Sequence, residues 1–271
     1  MQVREQLKRL IPKPIRNWVY PVRQRTWQTM VNAAAEFRIF YRIRLNHEAI
    51  FDFAPFEQKK YSQNGEDGIL KSILASIGTT NRYFVEFGVG DGKECNSRYL
   101  LKQGWHGLQM DCGERVKDPI KKELITAQNI NALFEKYKVP KIFDLLSIDV
   151  DGNDYWIWKA LAGYEPRVVV IEYNSLIPGN ESRTIPYDPN FQWNHTTDYF
   201  GASLLALYKL GREKTYTLIG CDSNGVNAFF VQDSLVPGHF IAGSPEDIYR
   251  PMTPSYHQGT RHETTKPWVM I

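Results

Sequence analysis

The sequence predicts an α/β protein with a doubly wound, mostly parallel seven-stranded sheet that ends in an antiparallel hairpin, preceded by an N-terminal helical extension. Three observations favour this fold. From residue 81 onward, short apolar runs of strand type alternate with helical patterns, which is typical of βαβ units. A glycine-rich turn directly follows the first of these strands. The pair Asn224-Gly225 stands between two later apolar runs, as in a tight hairpin turn.

Seven strands and four helices follow from the apolar periodicity and the turn residues. The expected strands span residues 83–87, 107–110, 123–127, 143–150, 167–173, 215–220 and 227–232. The expected helices span residues 97–103, 130–138, 155–161 and 202–210. Residues 174–201 are rich in Pro, Asn, Gly and Ser and are too long for an ordinary connection, so we interpret them as a substrate loop.

Composition places the chain among ordinary globular proteins. Its 271 residues are 42% hydrophobic and 13% aromatic, enough to bury a core, which excludes a disordered chain. Lys and Arg number 33 against 30 Asp and Glu, and this even balance indicates no nucleic-acid partner. Three cysteines fit a reducing compartment, and we expect a cytoplasmic protein. No apolar run approaches the roughly 18 residues of a membrane span.

Positive charge is concentrated in the first fifth of the chain. Residues 1–50 hold ten Lys or Arg and three Asp or Glu, a net charge of +7, and their pattern predicts two basic amphipathic helices separated near Pro21. Such helices suit peripheral contact with the inner face of a membrane or a homodimer contact, and they equally suit a cap on the main domain. We therefore predict an extension over 1–50, a ligand-binding domain over 51–240 and an irregular tail over 241–271.

The glycine-rich turn has the chemistry of a cofactor site. Glu86 lies near the end of the first strand, and Gly88, Gly90 and Gly92 follow it. Glycines allow a positive φ and a close approach of the backbone to a ligand. A dinucleotide fingerprint would place its third glycine one residue later. The spacing instead fits an S-adenosylmethionine turn, in which the acid at the strand end holds the ammonium of the methionine part; a purely structural strand-to-helix turn is the alternative.

Polar residues also follow the next strands, each at a carboxyl end, where open α/β sheets bind ligands. Asp111 ends the second strand and is suited to accept both ribose hydroxyls. Gln128 and Asn129 follow the third strand and are placed to border an adenine ring. Asp149 and Asp151 end the fourth strand, beside the reactive end of the cofactor. Each alone could be a helix cap, but together, in strand order, they indicate one cofactor cleft.

Three short segments carry a family resemblance. They are Tyr-Ser-Gln-Asn-Gly-Glu-Asp-Gly at 61–68, Phe-Val-Glu-Phe-Gly at 84–88, and Ile-Asp-Val-Asp-Gly at 148–152, where Asp151 replaces the usual Glu. These segments resemble the FkbM-type family of class I S-adenosylmethionine-dependent methyltransferases. The resemblance covers roughly residues 61–232. It implies S-adenosylmethionine as cofactor and O-methylation, often of sugar hydroxyls in glycans or natural products.

The first of these segments precedes the first strand and holds two further candidates. Gln63 and Asp67 could hydrogen-bond the amino-acid part of the cofactor, because related folds run a helix across that end. The alternative is a capped helix start, with Ser62 as the cap and Glu66 and Asp67 in the first turn.

Methyl transfer to a hydroxyl needs a group that takes the proton. We expect Asp149 and Glu172, at the ends of the fourth and fifth strands, to face the reacting centre. Together with Asn174 they form an all-oxygen set suited to Mg²⁺, although the same residues can bind backbone and substrate without a metal. His195, in the long loop, is a candidate general base because histidine ordinarily titrates near neutrality, and a structural loop histidine is the alternative.

These observations lead to one predicted function and two rivals. We predict a transferase that uses S-adenosylmethionine to methylate a hydroxyl, on a sugar or glycoconjugate. One rival is a binding module that keeps the fold without turnover. The other is a nucleotide-dependent oxidoreductase, against which the early third glycine argues.

Overall fold

The computed structural model describes residues 52–194, 197–252 and 265–271. Its strands are β1 (Tyr83–Phe87), β2 (His106–Asp111), β3 (Lys121–Lys122), β4 (Ile142–Ile148), β5 (Glu165–Glu172), β6 (Arg183–Thr184), β7 (Tyr216–Cys221), β8 (Asn227–Gln232) and β9 (Val269–Met270). Its helices are α1 (Glu66–Ile77), α2 (Ser97–Lys102), α3 (Ile130–Lys136), α4 (Asp154–Ala160), α5 (Leu204–Glu213) and α6 (Pro245–Ile248).

Seven of the strands form one sheet in the order β3-β2-β1-β4-β5-β8-β7. β8 runs antiparallel to both of its neighbours, and the other pairings in this sheet are parallel. β6 and β9 form a separate antiparallel pair. The predicted fold class is therefore confirmed: this is a doubly wound, mostly parallel seven-stranded sheet, and it ends in the β7–β8 hairpin.

The strand order determines where a ligand can bind. β2 pairs with one side of β1 and β4 pairs with the other, so the sheet has its switch point between β1 and β4. Loops that leave the carboxyl ends of these strands diverge there, and open α/β sheets bind ligands in the crevice between them. Phe87 pairs with both Met110 and Ile148, so the three strands end at the same level.

Both faces of the sheet are buried. Along β5, Val169 and Ile171 pack with α3, α4 and α5, while Val168 and Val170 pack on the opposite face with α1. Alternate residues of a strand point to opposite faces, so a strand covered on both sides is apolar throughout. Each fully buried side chain of this size contributes about 1.5–3 kcal/mol relative to exposure.

The third strand is shorter and ends earlier than predicted. The prediction placed it at 123–127, whereas β3 ends at Lys122. Asn129 explains the difference, because its Oδ1 accepts from the Thr126 amide at 2.8 Å and its Nδ2 donates to the Leu124 carbonyl at 2.7 Å. These bonds curl the segment into a turn, since they use backbone groups that a longer strand would pair.

The C-terminal segment is more regular than predicted. The sequence predicts an irregular tail over 241–271, whereas the structure shows α6 and the strand β9 within it. The Trp268 ring packs against Tyr199, and the Arg183 guanidinium lies over the same indole. The strand forms because its partner, β6, belongs to the distant loop after β5, a pairing that no local pattern reveals.

Two predictions lie outside the described residues. The two basic helices fall within residues 1–51, and His195 lies in the gap at 195–196. Within the ranges that the structure does describe, no helix is long and apolar enough to cross a membrane.

Candidate functional site

The backbone turn after β1 fits tightly between two neighbouring strands. Gly88 has a φ of +81°, and a Cβ at this position would lie 1.3 Å from the carbonyl oxygen of Asp149, just beyond β4. The Gly88 amide donates to the Met110 carbonyl of β2 at 3.1 Å, and the Asp149 amide donates to the Phe87 carbonyl at 3.3 Å. Only glycine allows this approach, so Gly88 sets the turn at the switch point.

Two further glycines of the turn have different surroundings. Gly92 has a φ of +74°, and its Cβ position lies 2.8 Å from the Ile120 side chain. Gly90 has a φ of +56°, and apart from its chain neighbours no described residue has an atom within 4 Å of its Cβ position. Gly90 therefore borders open space at the carboxyl edge, where a ligand can approach the backbone.

Asp111, at the end of β2, lies beside this open space. Its Oδ2 accepts from the Gly90 amide at 2.7 Å, and its Oδ1 accepts from the Gly113 amide at 2.6 Å. The residue is half-buried. Because a carboxylate offers about four acceptor positions, further positions remain for ligand hydroxyls. Asp111 therefore braces the glycine-rich turn and can still receive a diol.

Glu86 contacts the protein itself. It is only 4% exposed, its Oε1 accepts from the Asn96 amide at 2.7 Å, and its Oε2 accepts from the Ser97 amide at 2.8 Å. The Ser97 hydroxyl also donates to Oε2. Burial raises the pKa of Glu86, and the hydrogen bonds from Ser97 lower it. Glu86 thus anchors the start of α2, and its expected contact with the cofactor ammonium stays a prediction.

Four polar residues that no motif singles out connect Glu86 to the neighbouring strands. Gln109 Nε2 donates to Ser97 Oγ at 2.9 Å, and Asn96 Nδ2 donates to Ser147 Oγ at 3.0 Å. Gln109 belongs to β2 and Ser147 to β4, so the network ties α2 to three central strands. The signal in the sequence is a polar residue inside an otherwise apolar strand, which must find a partner when buried.

Asp67 braces the loop that precedes α1. Its Oδ2 accepts from the amides of Lys60, Tyr61 and Ser62 at 2.9, 2.6 and 3.0 Å. The Asp67 amide in turn donates to Ser62 Oγ at 3.1 Å, while the N-cap position of α1 is Gly65 and has no side-chain cap, so Ser62 is not the cap that the alternative predicts. Gln63 is exposed in this loop and stays the candidate for the amino-acid part of the cofactor.

Three carboxylates converge at the ends of β4 and β5. One oxygen each of Asp149, Asp151 and Glu172 lies within 4.8 Å of the other two. Glu172 Oε2 is buried and has no hydrogen-bond partner in the part of the chain that the structure describes. Burial raises the pKa of Asp149 and of Glu172 well above the ordinary carboxyl range, and repulsion from neighbouring carboxylates raises both further. Such a cluster attracts a cation or a proton.

The Asn174 amide is hydrogen-bonded within its own loop. Its side chain is buried, with Nδ2 donating to the carbonyls of Asp198 and Phe200 at 2.9 and 2.8 Å and Oδ1 accepting from the Leu176 amide at 3.0 Å. These bonds use the amide to hold together the two ends of the long loop. The structure brings Asp151 beside Asp149 and Glu172, and a role of Asn174 in a metal site stays a prediction.

Asn129 has its side-chain amide in the turn after β3, so it shapes the turn predicted to border an adenine ring. Its neighbour Gln128 is exposed, and Gln128 Oε1 accepts from the hydroxyl of Tyr187 in the long loop. At this edge Gln128, rather than Asn129, therefore has a side chain that can meet a ligand.

Solved structures that align with this chain share little of its sequence and superpose on it poorly. An S-adenosylmethionine-dependent methyltransferase from Clostridium acetobutylicum aligns over 74% of this chain and 99% of its own, at 11% identity and a TM-score of 0.38. An O-methyltransferase family protein from Burkholderia thailandensis aligns over 62% of this chain and 58% of its own, at 12% identity and a TM-score of 0.32. The mitomycin 7-O-methyltransferase MmcR aligns over 60% of this chain and 53% of its own, at 13% identity and a TM-score of 0.30.

Likeness at this level says nothing about the activity of this chain. No family profile matches the sequence, and no curated protein sequence matches it either. The functional argument therefore depends on the site.

Proposed function

We propose that this protein is an S-adenosylmethionine-dependent methyltransferase that methylates a hydroxyl of a sugar or glycoconjugate. The observation that carries the proposal is the open space at Gly90 beside the Asp111 carboxylate, at the switch point of a sheet with methyltransferase topology. Backbone without a side chain at this point accepts a ligand that a Cβ would obstruct. The sugar acceptor is supported by the family resemblance of the sequence.

The residues around Gly90 fit this cofactor. When bound, S-adenosylmethionine supplies a methyl group on a positively charged sulfur. Asp111 would bind the ribose hydroxyls with the acceptor positions that the amides of Gly90 and Gly113 leave free. Asp149 and Asp151, just after β4, and Glu172, the last residue of β5, lie at the same edge of the sheet and favour a positive charge there.

Asp149 and Glu172 are the proposed proton acceptors within the described residues. O-methylation releases the proton of the acceptor hydroxyl, and a raised pKa makes a carboxylate a stronger base. Asp149 contacts the backbone of Gly88, which places it beside the glycine-rich turn. Glu172 ends β5, where the long loop begins. His195, in that loop, is the proposed alternative base.

A divalent cation is a second possibility at the acceptor side. The observation that favours it is the convergence of three carboxylate oxygens, one of them the buried and unpartnered Oε2 of Glu172. Asp149, Asp151 and Glu172 would hold Mg²⁺ through oxygen ligands, and the ion would lower the pKa of a bound hydroxyl. Exhaustive chelation should then abolish methyl transfer and added Mg²⁺ should restore it; full activity after chelation would exclude the ion.

Titration calorimetry with S-adenosylmethionine, S-adenosylhomocysteine and NAD tests the proposed cofactor. We expect binding of the first two and none of NAD, whereas binding of NAD alone would replace the proposal with the oxidoreductase. Turnover is tested with methyl-labelled S-adenosylmethionine and a panel of glycosides, by following the label into the acceptor. Cofactor binding without transfer to any hydroxyl would favour the silent binding module.

The basic extension is proposed to hold the enzyme at the inner face of a membrane. Residues 1–50 carry a net charge of +7 with interleaved aromatic residues, and each cation near an anionic surface adds about 1 kcal/mol of attraction. Co-sedimentation with anionic liposomes should succeed at low salt and fail at high salt. A full chain that ignores these liposomes even at low salt contradicts the membrane contact, and a dimer in sedimentation would then favour self-association.

A further inference from the structure

The first residue of β8 lies beside the last residue of β5. In the antiparallel pairing of these two strands, Asn227 is directly opposite Glu172. Opposite residues of an antiparallel pair have their side chains on the same face of the sheet, with about 4.5–5.5 Å between their Cβ atoms. This is the face that α1 covers, because Val170, two residues before Glu172, packs there with α1. The Asn227 side chain therefore belongs to the acceptor side of the proposed site.

Glu66, the first residue of α1, fixes the direction of the Asn227 amide. Glu66 is only 1% exposed, and its Oε1 accepts from Asn227 Nδ2 at 2.9 Å. The same carboxylate accepts from the backbone amide of Asn64 at 2.7 Å, through Oε2, and from Asn64 Nδ2 at 3.2 Å, through Oε1. A carboxylate only accepts hydrogen bonds, so it holds the amide nitrogen of Asn227 and turns Oδ1 away.

Asp222 holds the backbone at the same position. Its Oδ2 accepts from the amides of Val226, at 3.1 Å, and of Asn227. The Asp222 amide donates to the Asn227 carbonyl at 3.1 Å. Asn227 is therefore fixed through its backbone and its side chain, and the direction of Oδ1 is set before a ligand binds, which lowers the entropic cost of binding.

Two oxygens on this face lack a donor. Asn227 Oδ1 accepts no hydrogen bond from the described part of the chain, and neither does Glu172 Oε2. Glu172 Oε2 is buried, but Asn227 Oδ1 is not, so the exposed 5% of Asn227 includes this oxygen. Glu172 as a whole is half-buried. Neighbouring acceptor oxygens without donors are suited to a ligand that carries neighbouring hydroxyl groups.

We propose that Asn227 Oδ1 accepts a hydrogen bond from the hydroxyl next to the one that is methylated, and that Glu66 positions Asn227 for this contact. The acceptor is then a vicinal diol, as on a pyranose ring. This inference rests on the proposed function, because it deepens the acceptor side of the same site. Neither residue contacts the cofactor in this arrangement, so cofactor affinity and acceptor specificity can be measured separately.

Exchanging the two side chains tests the pair. In Glu66→Gln the Asn64 backbone amide retains the carbonyl oxygen of the new side chain, so the new Nε2 faces Asn227 and the Asn227 amide must turn. Asn227 then presents Nδ2 to the acceptor in place of Oδ1. In the double variant Glu66→Gln/Asn227→Asp, the carboxylate introduced at position 227 accepts from this Nε2 with one oxygen and offers the other to the acceptor. The net charge of the pair is unchanged.

Methyl transfer from labelled S-adenosylmethionine is measured on the full chain with the methyl glycosides of glucose, galactose and mannose. For a glycoside that the wild-type protein methylates, Glu66→Gln should raise KM about tenfold, as for one lost hydrogen bond, and leave kcat within about twofold. The double variant should bring KM back to within about threefold of wild type. Affinity for S-adenosylhomocysteine in calorimetry should stay within about twofold in both variants.

The deoxy form of the same glycoside, without the hydroxyl next to the methylated position, tests the contact from the side of the ligand. With the wild-type protein its KM should be about tenfold higher than that of the parent glycoside. Glu66→Gln should raise this KM no further, because the hydrogen bond is already absent. Asn227→Ala, which removes Oδ1 without moving a charge, should behave like Glu66→Gln and provides the same comparison if that variant does not fold.

Glu57→Gln is the matched control. Glu57 lies in the loop before α1 and accepts from the amide and the hydroxyl of Ser223, both at 2.6 Å, at the tip of the same hairpin. The substitution also replaces an acid by an amide, but its partner is Ser223, so KM should stay within about twofold of wild type. An equal rise in KM in Glu57→Gln would overturn the inference, because the effect would then belong to the whole hairpin. Thermal melting checks that each variant is folded.

The remaining outcomes separate this inference from the proposed function. If the wild-type protein methylates a glycoside and folded Glu66→Gln has the same KM, the contact is overturned and the proposed function stands. A folded double variant that does not restore KM also overturns it. If the wild-type protein binds S-adenosylhomocysteine but methylates none of the three glycosides, the sugar acceptor fails and this inference fails with it. Absence of S-adenosylhomocysteine binding would refute the proposed cofactor itself.

Discussion

At the scale of single residues, acidic side chains at the carboxyl edge hold the loops that form the site. More than one backbone amide donates to each of the carboxylates of Glu86, Asp67, Asp111 and Asp154. Loop amides lack a strand partner and need one when they are buried, and a carboxylate has several acceptor positions to offer. Acids that the sequence predicts to bind a ligand therefore also brace the backbone of the surrounding loops.

Asp111→Ala tests the ribose site. Binding of S-adenosylhomocysteine should weaken about tenfold to a hundredfold, because hydrogen bonds to a charged group are worth about 1.5–3 kcal/mol each. The free energy of unfolding should fall by about 1–3 kcal/mol, since the amides of Gly90 and Gly113 lose their acceptor. Calorimetry and urea denaturation measure the two effects. Glu114→Ala, an exposed acid after the same strand, is the control, and equal affinity in Asp111→Ala and wild type would contradict the site.

Asp154 makes stability depend on pH. Its carboxylate accepts from the amides of Val150 and Gly152 at 2.8 and 2.9 Å, yet burial raises its pKa from 3.8 to about 6. Between about pH 4 and about pH 6 the folded state therefore binds more protons than the unfolded chain, and the free energy of unfolding should fall as pH rises. Denaturant unfolding at several pH values in this window gives the free energy of unfolding as a function of pH. This free energy should fall less steeply with pH in Asp154→Asn than in the wild-type protein. Equal slopes in the two proteins would show that the pKa of Asp154 is not raised.

At the scale of elements, the turn after β1 combines a glycine that strand packing requires with one whose Cβ position is open. Gly88 and Gly90 both have positive φ, but the Gly88 Cβ position meets the Asp149 backbone while the Gly90 position is open. Glycine is required at position 88 because β1 pairs with β4 and the backbone just beyond β4 leaves no room for a Cβ. At the second position the proposed cofactor would approach the backbone.

Alanine at the two positions should separate these requirements. Gly88→Ala should prevent the native sheet from forming, because its Cβ would overlap the Asp149 carbonyl. Gly90→Ala should fold with a loss of about 1–2 kcal/mol for the left-handed backbone, and its cofactor affinity should fall about tenfold or more, as its Cβ enters the open space. Gly163→Ala is the matched control, with a φ of +71° and an open Cβ position away from the turn. Circular dichroism and calorimetry measure folding and affinity, and wild-type affinity in Gly90→Ala would contradict the proposed approach of the ligand.

At the scale of the whole molecule, a buried ion pair joins distant segments at the edge opposite the site. Arg167 of β5 donates to Asp144 of β4 at 2.8 Å and to the carbonyls of Gly78 and Ile77, at the end of α1, at 2.7 and 2.9 Å. Asp144 also accepts from the Arg82 amide, just before β1, at 2.7 Å. Two side chains thus connect α1, β1, β4 and β5, the elements that bring the site residues together.

Asp144→Ala should lower the free energy of unfolding by about 3–5 kcal/mol, because the buried guanidinium of Arg167 loses its counter-charge. Affinity for the cofactor in the folded fraction should not change, since the pair lies at the other edge of the sheet. Urea denaturation measures the loss. Glu114→Ala breaks the exposed pair with Lys122 and should have almost no effect on stability. If the free energy of unfolding falls by less than about 1 kcal/mol in Asp144→Ala, the ion pair with Arg167 does not stabilise this edge of the sheet.

Much of the fold was predictable because its signals are local. Apolar runs, glycine positions and the Asn224-Gly225 turn depend on neighbouring residues, and they predicted the strands, the hairpin and the position of the turn after β1. The carboxyl ends of parallel strands meet at one edge of the sheet, so Asp111, Asp149 and Glu172 could be assigned to that edge from the strand pattern alone.

The sequence by itself thus determined the fold class and the strand ends that supply the site, while the tertiary structure decided which side chains are available there. Asn174 is occupied by carbonyls of the returning loop, and Asp151 converges with Glu172 from another strand. Tyr187 meets Gln128, which lies far away in the chain. The physical reason is that a side chain binds whichever donor or acceptor the packed chain brings near it, and those partners come from segments that no local pattern connects.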